Sequence, residues 1–215
     1  HNLKAKSLRS TECDIFITSY VKTKFEDFDD LKLTIRMLSS MEKTFKLKRK
    51  FDDYRKAKNE IDYTNSTIFA FYEDTEGYEL CFFGIYVQLY GSDAPKPNRN
   101  TAYVSYIDSV KLLENGKRTK IYQMILLGLF EYLKLQGYEK IFIWSCPPSK
   151  NDDYIFPSKP AGQKTPDTNH LSQWYQELIR KGKEYDIVTS CEGSEEYAYQ
   201  GNWNDIDNIP LMDGD

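Results

Sequence analysis

The chain has 215 residues, of which 40% are hydrophobic and 15% aromatic, and its formal net charge is −4. This composition excludes a disordered chain, leaves room for one large domain or two small ones, and argues against a dedicated nucleic-acid binder, which carries a basic face. No apolar run is long enough to span a bilayer and the opening "HNLKAKSLRS" holds no apolar signal core, so neither membrane insertion nor secretion is expected.

In chain order, "CDIFITSYV" (residues 13–21) reads as a strand behind the polar "RSTE", and "LKLTIRMLSSME" (31–42) reads as a helix. "KTFKLKRKF" reads as a solvated strand or arm, with a nuclear-import patch as the sharper alternative, and "KAKNEIDYTNS" reads as a loop. Three runs follow that are rich in β-branched and aromatic residues, "TIFAFYE", "YELCFFGIYVQLYG" and "TAYVSYIDSV", and the turn-like "EDTEG" makes the first two a hairpin. "RTKIYQMILLGLFEYLKLQG" is apolar on most faces, which predicts a buried helix with Gly137 as its C-terminal cap. "KIFIWSC" is a further buried strand. "PPSKNDDYIFPSKPAGQKTPD" is too long and proline-rich for a simple connection, as functional lids and binding loops are. "TNHLSQWYQELIRKGK" closes the series as a helix. The strand-strand-strand-helix-strand order predicts a mixed sheet with a helix packed on it.

Four well-separated cysteines, no CxxC and only His1 and His170 argue against structural zinc, so reduced, packed thiols are expected. "NST" at Asn65 is a chance sequon in a chain without a secretory signal. Gly116-Lys117-Arg118-Thr119 is no P-loop, because Lys111 stands where that motif needs glycine; Arg118 and Thr119 still open a helix, whose free N–H groups suit either an anion or an ordinary capped start. Ser109 lacks a nucleophile elbow, and "NDDY" reads as turn residues. In "HLSQWYQELI", Leu171, Trp174, Tyr175 and Leu178 share one helical stripe. Plain core is the default for such a stripe, with a ligand-holding Trp and a proton-bearing Tyr as the alternative.

The combination "YVSYIDSV", "RTKIYQMILLGLFEYLKLQGYEKIFIWSCPPSKNDDYIF", "PAGQKTP" and "LSQWYQEL" resembles the lysine (histone) acetyltransferase domain of the CREB-binding protein family, closely over residues 67–180 and loosely outside them. The resemblance implies an α/β fold of the α+β type: a central mixed β-sheet with a buried helix and a long cofactor-covering loop. It implies transfer of acetyl from acetyl-CoA to lysines of histones or other proteins, without a metal. The implied setting is nuclear, among transcription-factor complexes. Carried onto matching positions, Ile107, Asp108 and Ser109 touch the pantetheine arm, Arg118 and Thr119 the phosphates, and Trp174 packs on the cofactor. Thr165 stands where the family has a cofactor-contacting isoleucine, and His170 where it has a phosphate-contacting arginine, which predicts weaker cofactor binding. Tyr175 matches the general acid that protonates the leaving thiolate, Trp144 the wall of the lysine tunnel, and Tyr106, Tyr122, Cys146 and Tyr154 further lining residues. No side chain matches a general base. The family domain is longer and carries a basic regulatory loop where this chain has the short acidic "CEGSEEYAYQGNWNDIDNIPLMDGD". A single shortened domain over residues 1–215 is therefore expected, active, or else a weak relative serving as a protein-interaction module.

Overall fold

Five strands and three α-helices are present in the computed structural model, which describes residues 4–46, 60–113, 115–147, 154–193 and 210–214. In chain order they are α1 (Glu12–Lys24), β1 (Thr34–Lys46), β2 (Glu60–Glu73), β3 (Glu79–Tyr90), β4 (Thr101–Ser109), α2 (Asn115–Leu135), β5 (Lys140–Ile143) and α3 (Thr168–Glu184). The sheet runs β1-β2-β3-β4-β5. Its first four strands are antiparallel, and β5 joins parallel to β4 through the α2 crossover. The mixed sheet with a buried helix is the α/β architecture expected.

Local chemistry explains most of these elements. Asp74 organises the β2–β3 turn: its Oδ1 accepts from the N–H groups of Glu76 and Tyr78, and Gly77 takes φ +85. Helix α2 ends as expected at Gly137, whose φ of +89 suits glycine. There the Tyr138 N–H donates to Leu133 O at 3.0 Å and the Gly137 N–H to Lys134 O at 3.0 Å, a Schellman motif.

Three expected elements are corrected. Residues 13–21 are not a strand but the body of α1. Thr11 and Asp14 form a reciprocal capping box that starts the helix, and Cys13, Ile17 and Val21 then fall on one buried face. Residues 34–42 are not helical but belong to β1, which pairs along its length with β2. Asp14 joins the two elements, since its Oδ2 also accepts from the Met37 N–H at 3.2 Å, beside the register slip at Leu38. The expected loop "KAKNEIDYTNS" is likewise strand from Glu60 onward; residues 56–59 and the arm's residues 47–51 lie outside the described residues.

The core lies between the helices and one face of the sheet. From α2 come Ile121, Met124, Ile125, Leu126, Leu127, Leu129, Phe130 and Leu133, all buried. They meet Ile17 and Val21 of α1, Leu178 of α3, and Ile68, Phe83, Ile85, Val87 and Val104 of the sheet. Burying each large aliphatic side chain contributes roughly 1.5–3 kcal/mol, which is why so apolar a helix belongs inside. A second cluster, Ile61, Tyr63, Tyr90, Ala94 and Tyr103, is covered by Leu211 and Met212. Among the cysteines only Cys13 is buried and Cys81 half-buried; Cys146 and Cys191 are exposed, so the expectation of packed thiols fails for those two.

Candidate active site

The parallel pairing of β4 with β5 stops at Val104 opposite Ile143, and its last link is the Trp144 N–H to Val104 O at 3.1 Å. Strand β4 continues to Ser109 paired with β3 alone. The point of departure is a bulge. Tyr86 faces Tyr106 and Val87 faces Val104, so Ser105 is an extra residue, and its hydroxyl donates to Tyr86 O at 3.4 Å. Beyond Val104, one backbone edge of β4 has no strand partner among the described residues. Along this stretch Tyr106 is 41% exposed, Ile107 and Ser109 are half-buried and Asp108 is buried.

The long loop is seated over this strand end. Asp108 Oδ2 accepts from the N–H groups of Ile155 at 3.1 Å and Phe156 at 3.0 Å, and its Oδ1 accepts from Lys159 Nζ at 2.7 Å. Gln163 adds a second tie, donating to Ser109 O at 2.8 Å and accepting from the Lys111 N–H at 2.7 Å. Ile155 rests over Gly84, where a Cβ would come within 3.2 Å of it, and Phe156 meets Phe69 edge-on at 6.3 Å. Tyr154, next in the chain, lies against Tyr106 at 5.3 Å, and Tyr106 packs edge-on to Tyr86 at 6.0 Å. The "NDD" of the loop, residues 151–153, lies outside the described residues.

Two helices complete the surroundings. Helix α2 begins at Asn115, so Arg118 is its fourth residue and Thr119 opens the second turn. No acidic residue occupies that first turn, and its N–H groups have no intrahelical acceptors. Arg118 is half-buried and its charge reaches the hydroxyl of Tyr122. Tyr122 is buried against Phe83 at 4.4 Å, and its hydroxyl donates to Val110 O at 3.4 Å. Burial pushes the Tyr122 phenol up to about 12, with a hydrogen bond to Ser109 and the Arg118 charge opposing. Tyr122 thus ties the first turns of α2 to the end of β4 from beneath.

Helix α3 is capped by Asp167, whose Oδ1 accepts from the His170 N–H at 2.8 Å. The His170 ring Nδ1 lies 2.9 Å from both Asp167 oxygens, and the side chain is exposed. Of the α3 stripe, Leu178 is fully buried, whereas Leu171, Trp174 and Tyr175 are half-buried. Trp174 and Tyr175 meet edge-on at 5.2 Å. Burial raises the Tyr175 phenol well above its ordinary value, and the nearby Tyr154 phenol adds to this. Gln123 docks α3 on α2, donating to Trp174 O at 3.5 Å and accepting from Lys181 Nζ at 2.8 Å.

The fold therefore gathers Tyr106, Ile107, Asp108, Ser109, Arg118, Tyr122, Tyr154, Trp174 and Tyr175 around the free end of β4. Trp144, 47% exposed, and Cys146 follow β5 on the opposite side of the divergence, while Thr165 and His170 are exposed at the approach to α3. Ser105, Gln123, Lys159 and Gln163 were not singled out from the sequence. A buried glutamine inside the apolar α2 is the signal that would have found Gln123; the others depend on distant partners. Among the described residues no group of three or more His, Cys, Asp or Glu could hold a metal ion, and no helix is long and apolar enough to cross a membrane.

Residues 17–215 match the family model described as histone acetyltransferase domain KAT3. The chain is 38% identical over 170 residues to histone acetyltransferase HAC4 of Arabidopsis thaliana, a match covering 74% of this chain and 12% of that protein. It is 36% identical over 170 residues to protein cbp-1 of Caenorhabditis elegans, covering 79% of this chain and 8% of that protein. Probable histone acetyltransferase HAC-like 1 of Oryza sativa subsp. japonica is 36% identical over 167 residues, 73% of this chain and 10% of that protein. The chain thus spans about a tenth of the length of the curated relatives it matches. With a family match beginning inside α1 and running through all five strands, the chain belongs to the KAT3 histone acetyltransferase domain family.

Proposed function

We propose that this chain is a protein lysine acetyltransferase domain, moving acetyl from acetyl-CoA to lysines of histones or other nuclear proteins within a transcriptional coactivator. The observation that carries the proposal is the departure of β4 from β5 at Ser105, with the far end of β4 tied to α2 through Tyr122, in a chain of this family. The residues present suit such a donor. The backbone edge over Ser105–Ile107, short of Ser109 whose N–H and carbonyl are held by Asp108 and Gln163, offers hydrogen bonds to an extended amide-bearing arm. The first turn of α2 with Arg118, followed by Thr119, suits phosphate. When bound, acetyl-CoA supplies an activated thioester acetyl group.

In this reading Trp174 packs against the donor, and Tyr175 keeps its proton because burial disfavours the phenolate. That phenol donates a hydrogen bond to the departing sulfur as its charge develops. Trp144 walls the lysine channel and its backbone carbonyl orients the amine. Tyr106, Tyr154 and Cys146 line the approach, with Tyr122 as a supporting residue beneath it. The amine gives its proton to solvent. The alternative, a relative that binds acetyl-CoA poorly and serves as an interaction module, draws on His170, whose ring is engaged with Asp167 in place of a free guanidinium.

Thermal denaturation with acetyl-CoA, together with acetyl transfer to a lysine peptide followed by mass spectrometry, tests the proposal. Ligand at 100 times its dissociation constant adds about 2.7 kcal/mol of stability. No shift at millimolar acetyl-CoA and no transfer would sink the enzyme reading. A shift without transfer would favour the alternative.

A further inference from the structure

Asp108 raises an accounting question that the resemblance does not answer. A carboxylate has about four acceptor positions and no proton to donate. Here four donors are already placed on it. Oδ1 takes the Ser109 N–H at 2.8 Å and Lys159 Nζ at 2.7 Å, and Oδ2 takes the N–H groups of Ile155 at 3.1 Å and Phe156 at 3.0 Å. The carboxylate is buried and Lys159 is itself largely covered, so these bonds form where water competes poorly. A cofactor N–H could reach this side chain only by displacing one of them. The Asp108 side chain is therefore committed to the loop and to Ser109 rather than to an acetyl donor.

We infer that Asp108 is a positioning residue that, paired with Lys159, latches the loop of residues 154–163 onto the end of β4. The latch acts through Tyr154. Holding the Ile155 and Phe156 amides fixes the residue just before them, which meets Tyr106 at 5.3 Å and neighbours the Tyr175 phenol. It also seats Ile155 on Gly84 and Phe156 on Phe69, so the loop's apolar side chains cover the sheet face next to the site. This inference deepens the acetyltransferase reading and rests on it for its catalytic meaning. The structural half stands without it.

Two substitutions separate a latch from a cofactor contact. Asp108→Asn keeps the shape but turns one acceptor into a donor, so the amide NH2 must face either the two loop amides or the Ser109 N–H and Lys159. Lys159→Met removes the charge from the loop side and leaves Asp108 intact. The measurement is amide hydrogen exchange at Ile155 and Phe156 in the ligand-free protein, beside acetyl-transfer rates. A latch makes exchange at least ~10-fold faster in Asp108→Asn and several-fold faster in Lys159→Met, with turnover falling in the same order and the double variant no worse than Asp108→Asn. Unchanged exchange at both amides in Lys159→Met overturns the latch, even if Asp108→Asn fails to fold. Weakened acetyl-CoA binding in Asp108→Asn with unchanged loop exchange overturns it in favour of direct contact. A wild-type protein that transfers no acetyl refutes the enzyme reading while the exchange result still decides the latch.

Discussion

Replacing Tyr175 by phenylalanine isolates one oxygen atom. The ring is half-buried and packs against the main core and edge-on to Trp174 at 5.2 Å, and phenylalanine preserves those hydrocarbon contacts. No hydrogen bond to the Tyr175 hydroxyl is found among the described residues, so the change in folding stability should stay within about 0.5 kcal/mol. Burial and the neighbouring Tyr154 hold the phenol protonated far into alkaline pH. The donor is thus present at every working pH, yet reluctant to release its proton fully. Positioned acids contribute roughly 10²–10⁴-fold, and a donor whose pKa lies so far above the working pH belongs at the low end. Turnover should therefore fall about 100-fold, about 2.7 kcal/mol in the barrier, with acetyl-CoA affinity within about threefold. Tyr175 itself should create no limb in the wild-type pH–rate profile below about pH 10. Peptide acetylation is best read by mass spectrometry, because exposed Cys146 and Cys191 would react with reagents for released CoA. A variant that keeps a third or more of wild-type turnover would mean that the sulfur is protonated from elsewhere. Equal losses of binding and turnover would make Tyr175 structural.

Gly182→Ala should be costly: its Cβ would lie 2.7 Å from Val188 Cγ2 and 3.3 Å from Leu127 Cδ2, where α3 approaches α2. Overpacking of this kind costs about 1–3 kcal/mol, each kcal/mol lowering Tm by roughly 2–4 °C in a chain of this size, and an unchanged melting curve would show that Val188 yields freely. Glu73 accepts from Lys32 at 2.5 Å and Lys4 at 3.0 Å, and these hydrogen bonds hold its carboxyl down at about 2. Because the folded value lies below the unfolded one, that stabilisation is full above the ordinary carboxylate range and is lost as pH falls from about 4.5 towards 2. Glu73→Gln should flatten this part of an acid-unfolding curve, and an unaltered curve would remove Glu73 from the account. His170→Arg should tighten CoA in a titration by restoring a forked donor. In the neutral ring the Nδ1 proton goes to Asp167, which leaves only an acceptor facing outward. Equal affinities for the two proteins would make position 170 irrelevant to the phosphates.

Read alone, the sequence determined the elements whose signals are local. The β2–β3 hairpin follows from Asp74 and Gly77, the buried α2 from its run of Ile and Leu closed by Gly137, and the α3 stripe from residues spaced one turn apart. It misled at α1 and β1, where two periodicities coexist. "CDIFITSYV" is β-branched enough for a strand, and only the Thr11–Asp14 capping box, itself visible as "TECD", marks a helix. Leu31, Leu33, Ile35 and Met37 alternate as a strand should, but the surrounding Leu and Met residues also fit helical spacing, and pairing with β2 settles the matter. Tertiary structure alone decided the site's construction. That Ser105 is the extra residue in β4 depends on the register with β3, and that Asp108 has its acceptors filled depends on amides 47 and 48 residues away. Periodicity and capping act within a turn or two of chain. The end of a strand becomes a site only through what distant segments leave unpaired beside it.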